Sequence, residues 1–359
     1  MLKILFKIIL YKLFSFSSLV RLLPFSYTVS VTYKCNSRCR TCNIWERKGQ
    51  DLSLVEYKKI FAALGKSPYW VTISGGEPFL RTDITDIIKA LYDICRPKVI
   101  NIPTNAILCD LIPAKIADLV EYCRNSNIIV NISIDEIGDK HDAIRGVEGN
   151  FEKAIKTFSA LKKISASNLT VGIHTVISKF NVARVKDIYS ELSKLEPDSY
   201  ITEIAENRQE LLNIDKDITP DARDYKNAVE FLVRETKHEH FKGAGRLTKL
   251  IRQEYYSIVN SILQDKKPVL KCFAGITTAH IAADGNVWFC CMKSEAVGDL
   301  RASEYNIKNI WFTEKAKNMR KSIREEKCFC PMANMAYTNI LMSPFRLIII
   351  VLKYIRNKR

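Results

Sequence analysis

Short runs rich in β-branched and aromatic residues alternate with helical stretches from residue 26 to about residue 205, and this alternation most constrains the fold. The predicted strands are residues 26–33, 69–74, 98–103, 128–135 and 169–178, and the predicted helices between and after them are residues 54–64, 83–95, 111–123, 151–163 and 182–195. Strands that alternate with helices indicate right-handed βαβ units and a parallel sheet. Such folds carry their chemistry at the carboxyl ends of the strands.

A cluster of cysteines follows the first predicted strand. The stretch YKCNSRCRTCNIW contains Cys35, Cys39 and Cys42, a C-x3-C-x2-C spacing. Thiolates suit both zinc and iron–sulfur centres, but a closed zinc site needs a fourth ligand. The nearest histidine along the chain is His141. The spacing alone therefore predicts a metal site and leaves zinc and an iron–sulfur cluster open.

The second predicted strand ends in SGGEP, residues 74–78. Gly75 and Gly76 allow close backbone approach, and Pro78 rigidifies the turn. Backbone groups here are suited to bind a polar ligand such as an amino group, with Glu77 as a nearby charged anchor. Glycine pairs also occur in ordinary turns, so this motif is informative only together with the cysteines.

Together, the two motifs resemble the radical S-adenosylmethionine (SAM) superfamily over residues 26–205. The resemblance implies an α/β fold, a partial (β/α)6 TIM-like barrel. It also implies that Cys35, Cys39 and Cys42 hold three irons of a [4Fe–4S] cluster whose fourth iron binds SAM. Such enzymes cleave SAM reductively to a 5′-deoxyadenosyl radical, which abstracts hydrogen from a substrate.

The same resemblance implies further SAM contacts. Gly75, Gly76, Glu77 and Pro78 are expected to face the methionyl amino group. Ser133 and Asp135, at the end of the fourth predicted strand, are expected to contact the ribose or substrate. Arg145 is similar to an arginine that pairs with the SAM carboxylate. Asn105 and Asn181 are weaker candidates, and each of these polar residues has loop capping as its alternative role. No side chain is singled out as catalytic.

A second group of cysteines lies near the end of the chain, around a predicted hairpin that turns at Asp284–Asn286. Its members are Cys272, Cys290, Cys291, Cys328 and Cys330. Four such thiolates can close either a [4Fe–4S] or a zinc site. The layout resembles the twitch domain, a shortened SPASM domain that carries an auxiliary [4Fe–4S] cluster. That resemblance implies Cys272, Cys290, Cys328 and Cys330 as ligands, with Cys290 preferred to Cys291.

The remaining cysteines and the charge distribution indicate where in the cell the protein is expected to act. Cys95, Cys109 and Cys123 are interpreted as ordinary core cysteines, and the clustering of the others favours a reduced, cytoplasmic compartment. The net charge is +16, and no acidic residue precedes Glu46 or follows Glu326. The apolar, basic ends therefore predict helices lying on the anionic inner face of a membrane, with packing on the protein body as the alternative. No nucleic-acid-binding module is evident.

These features divide the chain into five predicted segments. They are an apolar, basic helix (1–25), a radical SAM core (26–205), a helical connector (206–268), an auxiliary-cluster domain (269–340) and a second apolar, basic helix (341–359). The predicted substrate is a lipid or lipid-linked sugar at the membrane. The auxiliary cluster is expected to transfer electrons or to orient the substrate, and the reaction class, oxidoreductase or transferase, is left open. The alternatives are a peptide- or protein-modifying maturase and a non-enzymatic metal-binding membrane module. A flavodoxin- or ferredoxin-type electron donor is the expected partner.

Overall fold

The structure is a computed structural model that describes residues 10–12, 14, 21–236, 244–325 and 328–356. Most of the predicted N-terminal helix, and the last three residues of the chain, lie outside the described residues. Of the N-terminal segment, Tyr11 is buried, and its hydroxyl donates to the Leu23 carbonyl at 2.8 Å.

A parallel six-stranded sheet forms the centre of the fold, in the order β6-β5-β4-β3-β2-β1. This confirms the predicted partial barrel. The strands are β1 (Ser26–Thr32), β2 (Trp70–Gly75), β3 (Val99–Thr104), β4 (Asn127–Ser133), β5 (Leu169–Ile177) and β6 (Ser199–Ile204). The helices of this region are α1 (Leu54–Leu64), α2 (Ile84–Cys95), α3 (Leu111–Tyr122), α4 (Asp139–Arg145), α5 (Asn150–Lys162) and α6 (Val185–Ser193).

Local sequence explains these elements. Helix α1 begins with a capping box, because the Ser53 hydroxyl accepts from the Glu56 amide while the Glu56 carboxylate accepts from the Ser53 amide. Isoleucines and valines of the strands, such as Ile73, Ile102 and Ile132, are fully buried against the helices. Parallel strands covered by helices read as nearly continuous apolar runs, which is why the sequence predicts them well. The short helix α4, which the sequence analysis did not separate, lies between β4 and α5.

The C-terminal hairpin extends the same sheet. Strands β7 (Thr278–Ile281) and β8 (Asn286–Trp288) are antiparallel, as the sequence predicts, and β9 (Ala296–Asp299) follows. Strand β7 also pairs in parallel with β1, with Ser26 opposite Thr278 and Val29 opposite Ile281. The sheet therefore continues through nine strands from β6 to β9. The strands before and after the domain boundary predicted at residue 269 therefore belong to one sheet.

The predicted helical connector is only partly helical. Residues 206–221 form a loop with one short 3-10 turn at Gln209–Leu211, and the helices α7 (Ala222–Glu235) and α8 (Ala244–Asp265) follow. The interpretation of residues 206–221 as helix was therefore wrong. Their side chains and backbone make long-range hydrogen bonds to the first cysteine loop, which are described below, and these bonds replace the internal hydrogen bonds of a helix.

Four helices complete the C-terminal region: α9 (Lys308–Trp311), α10 (Glu314–Glu325), α11 (Ala333–Met342) and α12 (Pro344–Arg356). Helix α12 lies against α8, since Arg346 and Lys353 both pair with Glu254, at 3.0 and 2.6 Å. Its other face exposes Phe345, Ile348, Val351 and Leu352. Among the described residues, no single helix is long and apolar enough to span a membrane; α11 and α12 pass that test only as a pair bent by 88°.

Candidate functional site

The cysteine loop after β1 and the glycine turn after β2 are packed backbone against backbone. The Gly76 amide donates to the Thr32 carbonyl at 2.8 Å, and the Glu77 amide donates to the Lys34 carbonyl at 2.9 Å. A Cβ atom on Gly76 would lie 2.1 Å from the Lys34 carbonyl oxygen. Only glycine allows this approach, so Gly76 fixes where the cysteine loop starts.

Glu77 is a buried connection between the glycine turn and the loop after β3. Its carboxylate accepts hydrogen bonds from the Phe79 amide at 3.1 Å, the Thr104 hydroxyl at 2.9 Å and the Asn105 amide at 2.8 Å. Burial raises the pKa of Glu77 to about 7, although these donors lower it. The sequence analysis assigned Glu77 as a charged anchor for SAM. In the structure it binds protein donors and holds two loops together.

Asn105 links the loop after β3 to the cysteine loop. Its side-chain nitrogen Nδ2 donates to Asn36 Oδ1 at 2.7 Å and to Ser37 Oγ at 3.0 Å, and the same atom lies 3.9 Å from Cys35 Sγ. The side chain is buried. Asn105 therefore positions the first cysteine, a more specific role than the weak candidate that the sequence suggested.

Arg145 and Asp135 pair with each other. Arg145 Nε lies 2.9 Å from Asp135 Oδ2, and Arg145 Nη1 lies 3.8 Å from Cys39 Sγ. Burial lowers the pKa of the Arg145 guanidinium, but the Asp135 carboxylate and Cys39 raise it more, so the net pKa is raised. The other oxygen of Asp135 accepts from the Val176 amide at 2.8 Å. These contacts join the cysteine loop to β4 and β5; the expected roles of Arg145 at the SAM carboxylate and of Asp135 at the ribose or substrate stay predictions.

The other predicted contacts lie at the same edge of the sheet. Ser133 is half-buried at the end of β4, and Pro78 is buried in the turn after β2. Asn181 is buried and donates to the Asp135 carbonyl at 2.7 Å and the Val176 carbonyl at 2.9 Å, so it has the capping role that was its alternative. The loops after β1 to β4 therefore meet as predicted from the parallel topology.

The three cysteines of the first loop suit a metal cluster that keeps one face open. All three are only partly exposed. Burial raises the pKa of Cys42 to about 12, and the neighbouring thiols of Cys39 and Cys35 raise it further. Without a metal such thiols stay protonated at neutral pH, whereas bound iron stabilises the thiolate. The donor set therefore fits an iron–sulfur cluster at this edge.

The loop of residues 206–216, here called the bridging loop, connects the two cysteine regions. The Asn43 amide donates to the Leu211 carbonyl at 2.8 Å, and Asn213 donates to the Thr41 carbonyl at 2.7 Å. On its other side, the Glu210 amide donates to the Cys291 carbonyl at 3.3 Å. The sequence analysis missed this role, because polar residues in a loop give no signal for such distant partners.

The five C-terminal cysteines lie in one region, and one of them, Cys291, also contacts a histidine. Burial raises the pKa of Cys272 to about 11, and Cys290 and Cys328 raise it further. A hydrogen bond with Cys328, then burial and the charge of Cys272, raise the pKa of Cys330. Each of these thiols is therefore within electrostatic range of others in the group. Cys291 is likewise near Cys290, and its Sγ lies 2.9 Å from His280 Nδ1.

A groove with an internal volume of about 330 Å³ lies beside the group of four. Cys328, Phe329 and Cys330 form one part of its lining, and residues of the bridging loop and α8, including Glu206 and Ile262, form another. Burial raises the pKa of Glu206 to about 8, although Arg208, 3.7 Å away, lowers it. The groove therefore presents a mainly apolar surface with Glu206 and Lys266 as its acidic and basic residues.

Comparison with known proteins decides the family. Residues 29–192 match the model of the Radical SAM superfamily, and residues 272–331 match the SPASM model, an iron–sulfur cluster-binding domain. The chain belongs to the radical SAM superfamily. It has a radical SAM domain followed by a C-terminal SPASM domain, and the cofactors of these domains are SAM, the [4Fe–4S] cluster that binds SAM and auxiliary iron–sulfur. The expectation of a family with these cofactors is confirmed.

Individual relatives match over part of their length. The chain is 32% identical over 150 residues to a probable GTP 3′,8-cyclase of Methanococcus maripaludis, which is 41% of this chain and 48% of that protein. It is 26% identical over 179 residues to the sporulation killing factor maturation protein SkfB of Bacillus subtilis, 48% of this chain and 41% of that protein. The chain thus spans about half, or less, of the length of these curated relatives.

The solved structures support the fold. The structure of SuiB from Streptococcus suis bound to the precursor peptide SuiA is similar with a TM-score of 0.62 and 15% identity, over 85% of this chain and 67% of that chain. At this identity, the similarity shows the architecture alone.

Proposed function

We propose that this radical SAM enzyme modifies a peptide or protein by abstracting a hydrogen atom from one of its residues. The observation that carries the proposal is the SPASM-type group of cysteines beside a mainly apolar groove, in the region whose hairpin extends the sheet of the proposed SAM-binding edge. SkfB is a maturation protein, and SuiB was solved with a precursor peptide. These relatives favour a peptide over the lipid-linked sugar expected from the sequence, although a cyclase acting on GTP is also among the relatives.

Cys35, Cys39 and Cys42 are proposed to hold the SAM-binding cluster, and the turn from Gly75 to Pro78 to face the SAM amino group. When bound, SAM and this cluster supply a 5′-deoxyadenosyl radical that removes hydrogen from carbon. The chain's own contribution is positional. Glu77, Asn105 and Arg145 hold the loops around the cluster by the hydrogen bonds and ion pair described above.

The auxiliary cluster is proposed to bind Cys272, Cys290, Cys328 and Cys330. Since Cys328 and Cys330 line the groove, a substrate there lies next to this cluster. Phe329 is 42% exposed between them and offers an apolar contact for a substrate side chain. An electron-transfer role for the auxiliary cluster, and a flavodoxin or ferredoxin as electron donor, complete the proposal.

The substrate class can be tested by following the transferred hydrogen. Cells that naturally express the protein are grown in heavy water, and their extract is separated into small peptides, proteins, polar metabolites and lipids. Each fraction is incubated with reduced, reconstituted enzyme and unlabelled SAM. We expect deuterium in 5′-deoxyadenosine, detected by mass spectrometry, with the peptide or protein fraction, and its loss when that fraction is first digested by a broad-specificity protease.

The Cys39→Ala variant, which lacks a proposed cluster ligand, is the control and is expected to give no 5′-deoxyadenosine with any fraction. Deuterium transferred only from the lipid fraction would instead support the lipid-linked substrate. Transfer only from polar metabolites, unaffected by protease, would contradict both and favour a small-molecule reaction.

We also propose that the enzyme sits on the inner face of a membrane. The support is the exposed apolar face of α12, formed by Phe345, Ile348, Val351 and Leu352. The net charge of +16 and the basic residues at the chain end complement an anionic lipid surface. Binding to the surface requires no spanning helix.

A further inference from the structure

Cys291 lies in a buried cluster with His280 and Glu210, beside the proposed ligands of the auxiliary cluster. Its sulfur is 2.9 Å from His280 Nδ1, and the same nitrogen is 3.7 Å from Glu210 Oε1. The sulfur, the nitrogen and a carboxylate oxygen all lie within 4.8 Å of one another. The three residues come from distant parts of the chain: the bridging loop, β7 and the segment after β8. Tertiary folding therefore brings three metal-ligating groups to one point.

His280 is oriented for this arrangement from its other side. Its Nε2 atom lies 2.8 Å from the Ser30 hydroxyl of β1, and both side chains are buried. A metal-bound histidine characteristically has its second nitrogen held in this way, which fixes the ring and its tautomer. Nδ1 is thereby directed at Cys291 and Glu210.

The two carboxylate oxygens of Glu210 have different neighbours. Glu210 Oε2 is 3.3 Å from Arg208 Nη1, whereas Oε1 is the atom near His280. Arg47 donates to the backbone carbonyls of Glu210 and Gln209, both at 2.8 Å, and so fixes the bridging loop rather than the carboxylate. One oxygen of Glu210 therefore remains directed at the cluster.

The surroundings suit a four-coordinate ion. Glu210, His280 and Cys291 are 6%, 2% and 5% exposed, so competing bulk water is excluded. A cavity of about 20 Å³ adjoins His280 and Cys291, which is enough for one water molecule. Sulfur, nitrogen and oxygen donors in a mixed set are typical of Zn²⁺, which accepts all three in tetrahedral geometry.

We propose that Glu210, His280 and Cys291 form a mononuclear zinc site. The adjacent cysteines Cys290 and Cys291 then serve two different metal centres, Cys290 the auxiliary cluster and Cys291 the zinc. Zinc at this point joins the bridging loop to β7 and to the segment after β8. Because the ligands are buried, the ion enters as these parts of the chain fold together.

Metal content tests the proposal directly. The full chain is purified without oxygen, reconstituted with iron and sulfide in the presence of Zn²⁺, and washed with EDTA. We expect about eight irons and about one zinc per chain by mass spectrometry of the metals. The zinc K-edge spectrum should fit one sulfur at about 2.3 Å and three nitrogen or oxygen ligands at about 2.0 Å.

Variants distinguish the proposed zinc site from the two proposed iron–sulfur clusters. Cys291→Ser and His280→Gln are expected to lower zinc occupancy by about tenfold or more and to leave iron unchanged. The matched control is Cys95→Ser, which alters a buried cysteine that donates to the Phe61 carbonyl and should retain zinc. If Cys291→Ser does not fold, Glu210→Gln, which keeps the side-chain volume, provides the same test.

Four results would overturn the zinc site, and three of them concern the zinc itself. They are wild-type protein with full iron but negligible zinc, zinc bound through four sulfurs, or variants that keep their zinc. Loss of half the iron from Cys291→Ser would also overturn it, since Cys291 would then be a ligand of the auxiliary cluster.

Discussion

Single polar residues around the first cysteine loop bind one another and so fix the loop. Glu77, Asn105 and Arg145 each contact a neighbouring loop rather than solvent. His141 supports the same network, because its Nδ1 accepts from the Asp135 amide at 3.1 Å while Nε2 contacts Asn150 at 3.3 Å. The position of Asp135, and through it that of Arg145, thus depends on a neutral histidine.

A pH dependence follows for His141. Burial, and then the charge of Arg145, lower the pKa of His141 to about 4, from 6.5. Below pH 6.5 the unfolded chain binds a proton that the folded one excludes, so stability is lost as the pH falls from 6.5 towards 4, by up to about 3 kcal/mol. His141→Asn, which retains an acceptor near the Nδ1 position, is expected to weaken this dependence.

Urea unfolding of both proteins at pH 7.5, 6.0 and 5.0, followed by tryptophan fluorescence, measures the effect. Glu77 contributes a pH dependence of stability with the opposite sign. Its pKa is raised to about 7 in the folded state, so its contribution to stability is lost as the pH rises towards 7. The relevant quantity is therefore the difference between the wild type and the variant. An identical change of stability with pH in the two proteins would contradict the role given to His141.

The sequence could predict the positions of those site residues that come directly after a predicted strand. Cys35, Cys39, Cys42 and Gly76 follow neighbouring strands, and parallel topology alone brings them to one edge. Pairing of side chains could not be predicted in the same way. Arg145 contacts Asp135, and His280 contacts Glu210, only because loops distant along the chain pack together. The sequence gives the residue types but not which pairs form.

Among the elements, the turn after β2 and the bridging loop determine the shape of the cysteine loop. The turn contacts its start through Gly76, and the bridging loop contacts its end through Asn213. The turn was evident from its glycines. The sequence predicts a helix for the bridging loop. The mixture of charged and apolar residues in 206–221 is compatible with a helix, and the sequence does not reveal that their hydrogen-bond partners are distant along the chain.

The close approach at Gly76 makes a specific prediction. Gly76→Ala places a methyl group 2.1 Å from the Lys34 carbonyl oxygen, so the cysteine loop must move. We expect the iron content after reconstitution to fall from about eight to about four per chain, because only the SAM-binding cluster is affected.

Gly149→Ala is the matched control. Gly149 has a φ of +70°, but a Cβ there meets nothing within 4 Å, so alanine costs only about 1 kcal/mol of backbone strain. This variant should retain its iron. Equal iron content in the two variants would contradict the importance of the close approach.

For the whole molecule, the continuous sheet explains how two metal regions are held in one body. Pairing of β7 with β1 attaches the C-terminal region next to the strand that carries the first cysteine loop. The sequence indicated two regions with separate cysteines, but not that they share a sheet, because a four-residue strand gives no sign of its distant partner.

Membrane association is also a property of the whole molecule. The double variant Ile348→Asp/Leu352→Asp should lose most of its flotation with phosphatidylglycerol vesicles at low salt, because it places charges on the apolar face of α12. Val55→Asp, which alters a residue of α1 that is 63% exposed, is the control and should float like the wild type. Equal flotation of all three proteins would contradict α12 as the anchor.

The central claim, that the loop of Cys35, Cys39 and Cys42 cleaves SAM, is tested most directly by product formation. Reconstituted wild-type protein reduced with dithionite is incubated with SAM, and 5′-deoxyadenosine is quantified by mass spectrometry. We expect product from the wild type, none from Cys39→Ala, and reduced but detectable product from Cys328→Ala, which alters only the auxiliary site. No product from fully iron-loaded wild type, or equal amounts from wild type and Cys39→Ala, would contradict the assignment.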